Sequence, residues 1–272
     1  MKFDSNRAWK EASDAVTANR EVLFAIAGVF ILLPTLAFSM FFPQPEPPAG
    51  LQGEAAMQFA LDFYGSVAPW AIGMGLVQAV GTLAMLTLFT DRSRPTVGDA
   101  LRRGLGGLLT YFTAQILLAL GIGLTGAILI GLVGFTGIKA LVAVVVIAVI
   151  VGVAYAAIKT SLVTPVIMVE GQRNPILALQ RSWQLTKGNS ARIAVFYLLV
   201  ALAFLISMIV VMMVAGAALA LVLGAGEASR MIAAVVSGVL GTVMTIYFVS
   251  ILAAVHRQLA GPSPETISAT FD

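Results

Sequence analysis

Residues 22–42 read VLFAIAGVFILLPTLAFSMFF, twenty-one positions without a charged side chain. At about 1.5 Å per residue, a helix of that length crosses a hydrocarbon core about 30 Å thick. Lipid offers backbone N–H and C=O groups no partner, so an open chain crosses as a helix that satisfies them within itself. Five further stretches repeat the pattern, at about 67–90, 105–134, 140–169, 193–224 and 231–255. Together they predict an all-α integral membrane protein with six transmembrane helices, a single polytopic domain over 1–272. Several stretches exceed a straight crossing, and tilt or a projecting helix end takes up the excess.

Composition supports this. The chain is 59% hydrophobic and 11% charged, whereas soluble domains are about 25% charged. The net charge of +3 reflects orientation in a bilayer and implies no nucleic-acid partner. With no cysteine, disulfides, thiolate nucleophiles and Cys-based metal sites are excluded. Leu36-Ala37-Phe38-Ser39 has the small-residue spacing of a cleavage site, but Asp4, Glu11, Asp14 and Glu21 precede the run. The run also outlasts the 7–15 residues of a cleavable apolar region, so 22–42 is expected to stay as the first span.

Lys and Arg set the orientation. Lys2, Arg7, Lys10 and Arg20 precede span one, and Arg92, Arg94, Arg102 and Arg103 follow span two. Arg173, Arg181, Lys187 and Arg192 follow span four, and Arg257 follows span six; the opposite side carries only Lys139 and Arg230. Short loops rich in Lys and Arg stay inside, so both termini are expected in the cytoplasm and the Pro43 to Ser66 loop outside. That loop opens with a Pro-rich extended stretch; its second half, from Leu51 through Phe63, has an imperfect helical stripe that suits either a short helix on the outer leaflet or a solvated connector. Trp70 marks the interface where span two begins.

Three pairs of spans emerge, each preceded by a cytoplasmic amphipathic helix: residues 8–20, 96–103 and 175–183. Trp9, Ala12 and Val16 share one face of the first, and Ile176, Leu179 and Trp183 share one face of the third. Such helices lie at headgroup level or simply cap and orient the spans. Small residues recur at helical spacing in span three and at Gly216, Ala220 and Gly224, which favours close helix packing.

Polar residues inside spans are few. Lys159 is the one charged side chain well within a span, and an intramembrane cation must snorkel or find a partner. Glu170 lies about three turns further on and would share its face if the helix survived Pro165. Gln78 and Gln115 are the other strongly polar residues at depth, expected to bond to neighbouring helices or to contact a ligand. No Asp or Glu lies mid-span, which removes the usual carboxylate relay of ion-coupled transport. The single His256 offers no metal cluster. No nucleophile elbow or phosphate-binding glycine loop occurs, so no catalytic residue, metal or cofactor is expected.

Residues 159–188 read KTSLVTPVIMVEGQRNPILALQRSWQLTKG. A basic residue before Ser-Leu and Pro at the end of a span, then Glu-Gly, then Pro and Ala-Leu-x-Arg-Ser-Trp-x-Leu-Thr-x-Gly, resembles the membrane domain attached to some bacterial glycerophosphodiester phosphodiesterases, and proteins carrying that domain alone. Lys159, Ser161, Leu162, Pro165, Glu170, Gly171, Pro175, Arg181, Ser182, Trp183 and Gly188 carry the match. The resemblance implies a bacterial inner-membrane protein without the separate catalytic barrel, hence no phosphodiesterase activity, and a loose link to lipids or the envelope.

The motif also has a purely structural reading. Pro165 would bend span four, Glu170-Gly171 would end it, Pro175 would start a surface helix, and Trp183 would anchor that helix while Arg181 faces headgroups. The leading expectation is a non-enzymatic protein that engages anionic lipid headgroups or another amphiphile at its cytoplasmic face, or supports an envelope complex. In it, Lys159 and Arg181 form a basic pair beside Glu170 and Trp183. The alternative is a transporter with a pathway between the helix pairs lined by Gln78, Gln115 and Lys159. Oligomeric state and protein partners are not legible.

Overall fold

A computed structural model describes residues 2–43, 45, 48, 50–90, 96–224 and 226–261, and every apolar stretch in it is helical. Span one comprises α2 (Arg20–Ala27), a π turn (Gly28–Leu32) and α3 (Leu33–Phe41). Span two is α4 (Glu54–Thr90), span three α5 (Val97–Gly134), and span four α6 (Lys139–Thr160) followed by α7 (Val163–Val169). Spans five and six are α9 (Ser190–Leu223) and α10 (Glu227–Ala260). Six helical segments are long and apolar enough to cross a membrane; the chain is an all-α polytopic membrane protein.

The surface helices are α1 (Ser5–Ala18) and α8 (Pro175–Thr186). Asp4 caps α1 by accepting the Arg7 N–H, and Asn174 caps α8 by accepting those of Ile176 and Leu177, with Pro175 at the first helical position. The middle copy departs from the expected repeat: residues 96–103 run without a break into α5. Thr96 caps that helix, and no stop signal follows before the apolar run.

The loop before span two also departs from expectation. Its second half is the first three turns of α4, which runs straight on through Pro69. Nothing between Phe63 and Val67 stops a helix, so the stripe read as a separate surface helix joins the span.

Two close approaches order span one. Pro34 cannot donate to the Phe30 carbonyl, and the turn just before it widens to π geometry. There Phe30 lies against Gly81 of α4, where an added Cβ would come within 2.4 Å of the Phe30 Cβ. Further along, Leu32 and Leu36 press on Gly238 of α10.

The core gathers at the end of the bundle that carries the described termini. α1 buries Ala8, Ala12 and Val16, while Trp9 stays half exposed and stacks on Tyr247 at 5.9 Å. Ser250 donates to the Ala12 carbonyl at 2.9 Å, and Asp4 N–H donates to Gln258. Phe3 N–H donates to Asn189, between α8 and α9. These bonds fasten α1 along α10 and over the α8–α9 turn.

Candidate functional site

Span four breaks at Ser161-Leu162, one turn before the bend expected at Pro165. The reason lies in the proline itself: it lacks the N–H that would bond to the Ser161 carbonyl, and its ring crowds that group. The break leaves buried backbone groups to be satisfied from elsewhere. Ser182 of α8 does this with one hydroxyl, donating to the Lys159 carbonyl at 2.8 Å and accepting the Leu162 N–H at 3.2 Å. Ser182 is fully buried. The elbow therefore closes on α8 through a side chain twenty-odd residues away in sequence.

Beyond α7 the chain reverses at Gly171, whose φ of +68° suits glycine. The turn is clamped to α5: Arg173 Nη1 donates to the Gly106 carbonyl at 2.7 Å, and Thr110 donates to the Arg173 carbonyl at 3.0 Å. Glu170 sits at the end of α7. Its Oε2 accepts from Arg181 Nε at 2.8 Å, and its Oε1 lies 3.0 Å from His256 Nε2. His256 is 2% exposed and its Nδ1 has no partner among the described residues. The hydrogen bond from His256 holds the Glu170 carboxyl below its ordinary range; partial burial opposes this, and Arg181 reinforces it. One carboxylate thus pins α7, α8 and α10 together.

Lys159 does not meet Glu170, because the helix that would have aligned them is broken. It is 3% exposed, with Nζ 5.5 Å from the Tyr155 ring centroid and 5.4 Å from that of Trp183. The two rings stand edge to face at 5.7 Å. Among the described residues no carboxylate lies within ion-pair distance of Lys159, so the rings are what stabilise its charge.

The other polar residues separate. Gln78 donates to Thr35 at 3.0 Å and ties span two to span one. Gln115 is exposed on α5, and among the described residues no hydrogen bond to another helix engages it. Gln78, Gln115 and Lys159 therefore line no common cavity.

Two concave regions meet on α8. On one side lies an open groove of about 520 Å³, walled by Leu117, Leu118, Gly121 and Ile122 of α5, by Ala156 and Thr160 of α6, and by Leu179 and Trp183. The wall is almost wholly apolar, with Gln180 and Gln184 on its rim. On the other side, Arg181, Gln184, Lys187 and Asn189 surround a polar pocket of about 290 Å³. Gln184 borders both.

The stripe of Ile176, Leu179 and Trp183 expected on one face of α8 is thus not its core face. Ala178, Ser182, Leu185 and Thr186 point inward, while Ile176 and Trp183 are about half exposed. Close approach between helices selects small residues, and the bulky ones turn to lipid. The groove itself and the roles of Ser182 and His256 are absent from a sequence reading. A Ser in an amphipathic helix opposite a Pro-containing span end was the available signal for the first.

No protein-family model matches the chain, and no curated protein or solved structure matches it.

Proposed function

We propose that this is a non-enzymatic membrane protein that holds an amphiphile by its apolar chain in the groove beneath α8. The observation that carries the reading is the groove. Its volume of about 520 Å³ falls within the roughly 300–1,000 Å³ of small-molecule sites, which pair apolar walls with a few polar groups. Trp183 forms part of the wall, and the charge of Lys159 behind it holds the ring in place.

The setting belongs to the same proposal. The end of the bundle bearing the termini, α1 and α8 carries most of the Lys and Arg, which supports a cytoplasmic placement of that end. The resemblance of 159–188 to the phosphodiesterase-associated membrane domain supports a bacterial inner membrane. The chemistry of that phosphodiesterase is not part of the proposal, since the one histidine is bound to Glu170. Transport is weaker: its expected pathway residues are apart, one bonded to Thr35, one exposed, one caged by rings.

Gly121 lines the groove, and a Cβ added there meets nothing within 4 Å. Gly121→Phe therefore projects a ring into the groove from a position with room for its Cβ. Native mass spectrometry of detergent-purified protein should show bound lipid on the parent and at least about fivefold less on Gly121→Phe, a loss of about 1 kcal/mol, with the thermal midpoint preserved. Equal lipid on both would overturn the reading.

A further inference from the structure

We infer that the polar pocket across Gln184 from the groove is a headgroup site, so that the amphiphile is an anionic phospholipid lying over α8, chain on one side and phosphate on the other. The inference rests on the groove reading and adds the chemistry of the ligand.

Helical geometry joins the two chambers. Leu179 and Trp183 lie on one flank of α8, Arg181 on the other, and Gln180 and Gln184 on the ridge between, at 100° per residue. Ala178 and Ser182 hold the opposite face against the bundle. The ridge is exposed, so a molecule seated in the groove reaches the polar pocket by crossing one amide side chain rather than by passing through the protein.

Charge selects the headgroup. The pocket has two cations, Arg181 and Lys187, and the carboxylate of Glu170 beside Arg181 has both oxygens taken, by Arg181 Nε and His256. The terminal edge of the Arg181 guanidinium has no described partner, and it presents the paired N–H donors that match phosphate oxygens. Lys187 ends α8 as an exposed side chain. Gln184 adds an amide donor between head and chain. About 290 Å³ is more room than a bare carboxylate fills, and suits a phosphodiester with its glycerol.

Lys159 lies outside both chambers. Its part is to position Trp183, and Arg181 is the member of the expected basic pair that faces the ligand.

The test titrates detergent-solubilised protein with dioleoyl phosphatidylglycerol or dioleoyl phosphatidylcholine, equal in chains and different in charge, and reads binding by native mass spectrometry. Each basic side chain near a headgroup contributes on the order of 1 kcal/mol, about fivefold. The parent should prefer phosphatidylglycerol roughly twentyfold, Lys187→Gln about fivefold, and Arg181→Gln/Lys187→Gln hardly at all. Because Arg181 also holds Glu170, Lys187→Gln is the variant that tests charge without touching the elbow. Equal binding of both lipids by the parent would overturn the headgroup assignment alone, and binding of neither would overturn the groove with it. A preference that survives the double substitution, or phosphatidylglycerol displaced by millimolar inorganic phosphate, would also overturn it.

Discussion

The two ends of the bundle are built differently. At the end with the termini, Leu83 to Leu86, Leu162, Ile167, Ile193, Ile246 and Val249 to Val255 supply most of the deeply buried side chains, and hydroxyl, carboxylate and guanidinium groups cross between elements. At the far end few side chains are buried. In an apolar 18-residue stretch of span four no residue is buried, and in those of spans three and five only 6% are. Phe135 and Leu221 stand almost fully exposed. The lesson is that hydropathy marks what enters the membrane and says little about what packs. Lipid is as good a solvent for Leu as another helix is, so helices associate where small residues and hydrogen bonds permit.

The contrast breaks most decisively at Ser182. Ser182→Ala leaves the Lys159 carbonyl and the Leu162 N–H buried without their shared partner, and should cost about 2–4 kcal/mol. Unfolding in detergent measures this. A loss below 0.5 kcal/mol, taken as roughly the level of an ordinary exposed substitution, would mean that the elbow does not depend on α8.

Gly81 and Gly216 make the matched pair of glycines. A Cβ on Gly81 runs into Phe30, while one on Gly216 meets nothing. Gly81→Val should destabilise by about 1–3 kcal/mol, and Gly216→Val should stay within about 0.5 kcal/mol. Equal losses at the two sites would show that the far end packs as tightly as the other.

Glu170 gives the smallest and most specific effect. Its carboxyl titrates below its ordinary value of 4.5, chiefly through the hydrogen bond from His256 and then through Arg181. The folded value lies below the unfolded one, so the stabilisation is present above pH 4.5 and is lost as pH falls through the lowered folded value. Thermal midpoints measured from pH 6 downward should fall more steeply below pH 4.5 for the parent than for Glu170→Gln. Parallel curves would remove Glu170 from the joint between α7, α8 and α10.

All six spans were legible in the sequence because length and hydropathy decide them. The end of span four was legible as a stop and a start, Gly171 and Asn174-Pro175, while the bend within it falls one turn before Pro165 because a proline acts on the carbonyl four residues before it. Glu170 was read as a stop signal and as a possible partner for Lys159, but its partners lie on two other helices, and His256 is 86 residues away. Ser182 meeting Lys159, likewise, is a contact that no periodicity encodes. On α8 the bulky stripe was the visible signal and the small residues were the packing face, which inverts the rule that serves for soluble helices.

The widened turn at Gly28–Leu32 acts like a slipped reading frame. Leu23, Ala27 and Ile31 lie in the buried cluster with Ile246 and Val249, while Leu32 and Leu36 pack on Gly238, so the row of contacts shifts by one residue across the turn. Each extra residue rotates the remainder of the helix by about 100°. Without that slip, Ile31 and Thr35 would take the places of Leu32 and Leu36, and the hydroxyl that meets Gln78 would turn away from it. Span one therefore carries two helical phases in a single crossing, and Pro34 marks the point where one gives way to the other.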